Sequence, residues 1–135
     1  MIAILGILAT IGLSSFRNSQ MRGRDVQRKS DLKQVAGALE LYYSDYNEYP
    51  DAGDIIWGDE FTDGNTIYFK VLPTDPLSYD YLYRVDTTNQ KFRLYAYLEN
   101  SQDKNIVSGL TQTCGTNKNC NFAITSPNTA TSGTW

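Results

Sequence analysis

The first sixteen residues, Met1-Ile-Ala-Ile-Leu-Gly-Ile-Leu-Ala-Thr-Ile-Gly-Leu-Ser-Ser-Phe16, decide how this chain can fold. They contain no ionisable side chain, and through Leu13 they are apolar on every face of a helix. A helix at the surface of a soluble domain is apolar on one face only. At about 1.5 Å per residue the segment spans about 24 Å, which is less than the ~30 Å hydrocarbon core of a bilayer. The segment therefore needs apolar surroundings on all sides, in lipid or against other copies of itself.

The helix is predicted to continue well beyond this apolar run. No proline occurs in residues 17–49, and Pro50 is the first residue that would end the helix firmly. Apolar residues then recur at the spacing of one helical face, at Leu32, Val35, Ala36, Leu39, Tyr42, Tyr43 and Tyr46. A helix of about 45 residues is ~70 Å long, too long for a domain of this size to bury, so we expect its first half to project.

Composition and charge exclude several classes of function. The chain has 135 residues and no His, which rules out Ser-His and Cys-His nucleophile pairs and His-ligated zinc. The net charge is −3, but residues 1–34 carry +4 and residues 35–135 carry −7. Acidic residues interrupt the basic stretch 17–33, and no aromatic residue lies within it, so we expect no nucleic-acid partner. Lipid headgroups or a charge match between subunits are the alternative partners for these cations. We also expect no enzyme, because no pair of carboxylates is placed by spacing and a projecting helix leaves little room for a cleft.

Several segments carry a family resemblance. Residues 2–16, IAILGILATIGLSSF, resemble the N-terminal helix of type IV pilins and type II secretion pseudopilins, and residues 24–33, RDVQRKSDLK, resemble the stalk that follows it. Residues 38–43, ALELYY, 48–50, EYP, and 72–76, LPTDP, are similar to segments of the major pseudopilin branch. The resemblance extends from residue 1 to about residue 100.

The resemblance implies an α+β fold, in which a long protruding N-terminal helix packs on a small antiparallel β-sheet head. Residues 1–26 would form an apolar and basic helix that serves as membrane anchor and filament core, and residues 27–135 the globular head. The implied function is a structural subunit of a type IV pilus-like extracellular filament, or alternatively a pseudopilin of a type II secretion system. The implied filament-core residues are Ile2, Ile4, Leu5, Gly6, Ile7, Leu8, Ile11, Gly12, Leu13 and Phe16.

The resemblance also implies partners and a location. The partners are identical subunits in a helical filament, the cytoplasmic membrane before assembly, and a pilus assembly platform with its ATPase. The location is the bacterial cell surface, with an inner-membrane pool before assembly. From a different class, the chain could be a membrane-anchored binding module that contacts a ligand through Trp57, Tyr68 and its acidic loop. A cleaved secretory signal is a further alternative for the apolar run, although no basic residue precedes it.

The N-terminus departs from the family pattern. The basic leader ending in Gly, the methylated first residue and the Glu that follows it are absent, so we expect a leader and about eight mature residues to be missing before Met1. These residues would lengthen the apolar segment to roughly 24, enough to span a bilayer. Ser14 stands where many members have proline. Because Gly and Ser weaken a helix, we expect unwinding within residues 6–15 in an assembled filament.

The head is predicted to begin with an acidic loop and to continue with strands. The acidic residues of the loop, residues 51–65, suggest a calcium site, but they do not have EF-hand spacing. We therefore predict that they are solvated and hold no cofactor. These residues are Asp51, Asp54, Asp59, Glu60 and Asp63. Strands are predicted at 66–72, 79–85 and 91–98, the last two joined as a hairpin by residues 86–90. The tail 125–135, rich in Thr, Ser and Asn, is interpreted as a solvated surface or an O-glycan acceptor region.

Two cysteines, Cys114 and Cys120, lie near the end of the chain. Two thiols without His are too few for a zinc site. A disulfide in an oxidising compartment is favoured, and reduced thiols in a cytosolic protein are the alternative. The resemblance implies a C-terminal disulfide that pins a surface loop to the sheet.

Overall fold

One long helix and two small antiparallel sheets form the protein. The computed structural model describes residues 2–133, with side chains from Ile4 onward. The elements are α1 (Ile2–Tyr46), a 3-10 turn (Ala52–Asp54), β1 (Phe61–Thr62), β2 (Ile67–Phe69), β3 (Leu82–Val85), β4 (Phe92–Ala96) and β5 (Phe122–Thr125). The fold is α+β with a long N-terminal helix, as predicted.

The helix ends close to the predicted stop. Asn47 adopts a left-handed backbone with φ of 57°, and its N–H donates to the carbonyl of Tyr43 at 2.7 Å. Asn tolerates this conformation better than most residues and is a common helix terminator. Upstream, α1 is continuous through residues 6–15 in the single chain. The unwinding expected there concerns the assembled filament and stays a prediction.

The apolar face of α1 packs on the head as its spacing predicts. Leu32, Val35 and Leu39 have no exposed surface, and they share one core with Phe92 and Leu94 of β4. Burying such a side chain contributes roughly 1.5 to 3 kcal/mol relative to leaving it exposed. The second half of α1 is thus part of the head's core.

The larger sheet has the order β3-β4-β5 and is antiparallel throughout. The predicted hairpin is confirmed, since Val85 pairs with Phe92 and Asp86 accepts the N–H groups of Gln90 and Lys91 at 2.8 and 2.9 Å. The predicted strands are shorter in the structure than the sequence pattern suggests.

Two strands escaped prediction. β1 lies within the segment interpreted as an acidic loop and pairs with β2, which lies in the predicted strand 66–72. β5 pairs along β4 with Leu94 opposite Ile124. The interpretation of the tail as solvated is wrong at its start, because Thr125 belongs to β5 and Ser126 has no exposed surface. The hydroxyl oxygen of Ser126 accepts the N–H of Phe92 at 3.2 Å, which ties the end of β5 to the sheet.

The second face of this sheet is also covered. Tyr95 and Ala123 pack there with Leu110 and the two cysteines, which lie on the long connection between β4 and β5. β4 is therefore buried on both faces. A central strand covered on both faces gives the helix a firm base.

Candidate functional site

The first candidate site is the projecting segment, residues 4–20 of α1, in which every residue is exposed. Its seven large apolar side chains are 61% to 69% exposed, and they are Ile4, Leu5, Ile7, Leu8, Ile11, Leu13 and Phe16. Gly6 and Gly12 lie on the same segment, where an added Cβ would meet nothing within 4 Å. The predicted filament-core residues from Ile4 to Phe16 thus lie on one free surface, while the side chain of Ile2 lies outside the described residues.

An uncovered apolar surface of this kind is unusual. Monomeric soluble proteins rarely expose contiguous apolar patches larger than a few hundred Å², and larger ones mark contact with a protein, a membrane or a ligand. Within residues 2–133, no helix has an apolar stretch long enough to cross a membrane. The projecting segment has the character of an interaction surface.

Directly above the projecting segment, five charged residues join α1 to the head. We call this cluster the collar, and it consists of Arg24, Asp25, Arg28, Asp75 and Glu99. Arg28 at its centre has no exposed surface. Its Nε and Nη2 donate to Asp75 at 2.6 and 3.0 Å, and its Nη1 donates to Asp25 at 2.9 Å and to Glu99 at 2.7 Å. Four of the five N–H groups of the guanidinium are thereby matched.

The remaining collar contacts join three separate segments of the chain. Arg24 donates to both carboxylate oxygens of Glu99, at 2.7 and 2.9 Å. Asp25 accepts the backbone N–H groups of Glu99 and Asn100 at 2.9 and 2.8 Å. The helix, the turn around Asp75 and the segment after β4 therefore meet at one buried point.

The pKa values of the collar groups reflect these contacts. Burial alone would lower the pKa of Arg28, but the hydrogen bonds to Asp75 and Glu99 outweigh it and raise the pKa. The hydrogen bond from Arg24 holds the pKa of Glu99 below its ordinary value. Arg28 and Glu99 therefore remain charged at neutral pH.

A second ion pair beside the collar lowers the pKa of one carboxyl group, whereas burial raises the pKa of another carboxyl group nearby. Lys29 donates to both oxygens of Asp103, at 2.7 and 2.6 Å, and this contact lowers the pKa of Asp103. Burial raises the pKa of Asp31, although the Tyr81 hydroxyl donates to it at 2.8 Å. The same end of the head thus holds several interacting carboxylates.

The collar changes the interpretation of the basic stretch 17–33. Arg24, Arg28 and Lys29 form ion pairs with acids of the head, so their charges are largely matched within the subunit. Arg17 and Arg22 are exposed, and no ion pair involves them within residues 2–133. Part of the charge difference between the two halves of the chain is therefore cancelled inside the subunit.

The acidic loop is used for internal order. Within the described residues, no three Asp, Glu or Cys side chains lie close enough together to hold a metal ion. Asp63 accepts hydrogen bonds from the Tyr46 and Tyr68 hydroxyls and from backbone N–H groups, which lower its pKa to about 2. Among the described residues, the acids of the loop do not form a metal-binding cluster.

The aromatic residues proposed for a ligand surface are part of the packing. Tyr68 is 8% exposed and belongs to the main core, and Trp57 is half-buried with its ring edge-on to Tyr81 at 5.4 Å. Packing thus takes up most of the surface of Tyr68 and part of that of Trp57, and the hypothesis that they contact a ligand stays a prediction.

The disulfide prediction is confirmed, since Cys114 and Cys120 are bonded to each other. Both are buried against Tyr95 on the second face of the sheet. The N–H of Cys120 donates to the carbonyl of Gln112 at 2.7 Å, and the carbonyl of Cys114 accepts the N–H of Asp80 at 3.2 Å. The bond closes a small loop within the connection between β4 and β5, and the packing of both cysteines on Tyr95 places this loop on the sheet.

The geometry agrees with what a comparison with protein families finds. A family model described as "Type II secretion system (T2SS), protein G" matches residues 16–106. The chain belongs to this family. The match to T2SS protein G begins at the last apolar residue of the projecting segment and includes the collar and strands β1 to β4.

Membership in the T2SS protein G family settles part of the resemblance. The family is a structural component of a secretion system, so the pseudopilin branch of the resemblance is confirmed. The match does not include residues 2–15 or the disulfide. No curated protein and no solved structure gives a significant match to the chain.

Proposed function

We propose that this chain is a structural subunit that polymerises through its projecting segment into the pseudopilus of a type II secretion system. The observation that carries the proposal is the exposure of seven large apolar side chains on a helix that the head leaves uncovered. For a subunit outside the membrane, burial of this surface against the helices of neighbouring subunits removes it from water, which contributes roughly 25 cal/mol per Å². Membership in the T2SS protein G family supports the secretion-system setting.

The extracellular type IV pilus-like filament is the second proposal. The apolar sequence of residues 2–16, which resembles the helix of type IV pilins, supports it. Both filaments use the same helix, and they differ in length and place. Short filaments that stay beneath the outer surface support the pseudopilus, whereas long surface fibres support the pilus.

The partners before assembly follow from the same resemblance. We propose that the apolar segment waits in the cytoplasmic membrane and that an assembly platform with its ATPase extracts the subunit into the filament. Arg17, exposed directly after the apolar run, suits the anionic headgroups at the membrane edge. Identical subunits then replace lipid as the surroundings of the helix.

The test is assembly of the full chain purified in detergent and then diluted out of it. Leu8→Lys places a charge on the projecting segment, where Leu8 is 63% exposed, and Ile67→Lys places the same charge on the head, where Ile67 is 57% exposed. We expect wild type and Ile67→Lys to form sedimenting fibres visible by electron microscopy, and Leu8→Lys to remain monomeric. Fibres of Leu8→Lys at wild-type yield would overturn the proposal.

A further inference from the structure

We propose that Arg28 is a positioning residue for assembly, which acts through the collar to hold α1 in one direction relative to the head. The inference rests on the proposed function, because direction matters only if projecting segments of different subunits pack together. It concerns a residue with no exposed surface, which therefore touches no neighbouring subunit itself.

The contacts of Arg28 constrain its guanidinium on every side. The paired hydrogen bonds to Asp75 form a planar fork. Nη1 donates to two further acids, Asp25 on α1 and Glu99 after β4. The ring of Tyr79 lies against its face, with the ring centroid 5.3 Å from Cζ. Since Asp25 and Asp75 are themselves held by backbone N–H groups, a rotation of α1 breaks several short bonds at once.

Stability alone is a poor explanation for this cluster. Burying charges has a desolvation cost that can exceed their attraction, and apolar residues of similar size often stabilise a fold as well or better. The apolar face around Leu32, Val35 and Leu39 already attaches the helix to the sheet. Apolar contact tolerates sliding and rotation, whereas forked guanidinium-carboxylate bonds have a defined direction. The collar supplies the direction that the apolar face leaves loose.

Because the collar lies at the base of the projecting segment, a small tilt of α1 there produces a large displacement at the far end of the helix. From Arg24 to Ile4 the helix extends about 30 Å without support. A tilt of about 10° at the collar moves Ile4 sideways by about 5 Å, roughly half the 8 to 10 Å that separates the axes of packed helices. A subunit with a loosely held helix would therefore present its apolar side chains out of register.

The experiment compares Arg28→Lys with Arg22→Lys in the full chain. Lysine keeps the charge of Arg28 but cannot form the fork, and Arg22 is an exposed arginine of the same helix that provides the matched control. Spin labels at Thr10→Cys and Lys104→Cys, attached without reductant so that the Cys114–Cys120 bond stays closed, report the direction of the helix. Pulsed electron paramagnetic resonance in detergent measures the distance distribution before assembly, and sedimentation measures assembly of the unlabelled variants.

In wild type and Arg22→Lys we expect one narrow distance distribution. In Arg28→Lys we expect it to broaden, with displacements of about 2 Å or more, and the critical concentration for assembly to rise about tenfold. If Arg28→Lys does not fold, Glu99→Gln serves as the second variant, since Glu99 lies at the partly exposed edge of the collar. A distribution as narrow as wild type in a folded variant would overturn the inference, as would a broad one with normal assembly. Failure of wild type to assemble would instead count against the proposed function, while the distance measurement would still test the collar.

Discussion

Replacing one leucine of α1 by alanine is expected to weaken assembly or folding, according to which half of the helix carries the change. Leu8 lies in the projecting segment and is 63% exposed, whereas Leu39 lies under the sheet and has no exposed surface. The two substitutions remove the same three carbon atoms from the same helix. They therefore separate the surface that joins subunits from the surface that holds the head together.

The structure sets the expected magnitudes. Removing three carbons costs about 2.4 kcal/mol when they are fully buried, at ~0.8 kcal/mol each. Assembly can bury only the exposed share of Leu8, so Leu8→Ala is expected to weaken each subunit contact by about 1.5 kcal/mol, or roughly tenfold in critical concentration. Leu39→Ala leaves a cavity in a packed core and is expected to reduce the free energy of unfolding by about 2 to 5 kcal/mol.

The assay measures both quantities on each variant. Urea unfolding of the detergent-solubilised monomer, followed by near-ultraviolet circular dichroism, gives stability, and sedimentation after dilution gives the critical concentration. Leu8→Ala should leave the urea midpoint unchanged, and Leu39→Ala should shift it strongly. The reasoning fails if Leu8→Ala changes the critical concentration by less than about twofold. It also fails if Leu8→Ala lowers the urea midpoint as much as Leu39→Ala does.

Three further predictions concern the head. Replacing Cys114 and Cys120 by serine should lower the free energy of unfolding by about 2 kcal/mol, because the bond closes a seven-residue loop, and equal stability of the variant and the oxidised wild type would contradict this. Glu99→Gln should lower the urea midpoint at pH 7, and its difference from wild type should shrink as the pH falls below about 4. A carboxylate with a lowered pKa stabilises the fold above its unfolded pKa and loses that contribution on protonation. A difference in urea midpoint that persists at pH 2 would refute this prediction. Tyr83→Phe should cost about 1 to 3 kcal/mol in urea unfolding, because the buried Pro50 carbonyl loses its 2.7 Å hydrogen bond, and an unchanged midpoint would show that the bond contributes nothing.

Features that depend on neighbours in the chain were predictable. The extent of α1 follows from the missing prolines, and its packed face follows from the spacing of Leu32, Val35 and Leu39. The β3–β4 hairpin follows from two alternating segments around a short polar loop. The short strands β1 and β5 were missed because their few residues carry little pattern and form only by pairing with β2 and β4.

The collar was not predictable, because its members are far apart in the chain. Arg28 lies 47 positions from Asp75 and 71 from Glu99, and no local spacing relates them. The sequence of residues 17–33 indicates a basic region for outside partners. In the structure, half of its basic side chains form ion pairs within the subunit. A pair of arginines one turn apart, with Asp25 beside them, was the only local signal of a buried network.

The sequence by itself determined that half of the helix stays uncovered. A segment apolar on every face needs apolar surroundings on all sides, and a head of this size cannot provide them. Only the tertiary structure decided where that segment points. Its direction is set by charged groups from three segments that meet after folding, because an oriented buried ion cluster exists only once the chain brings its members together.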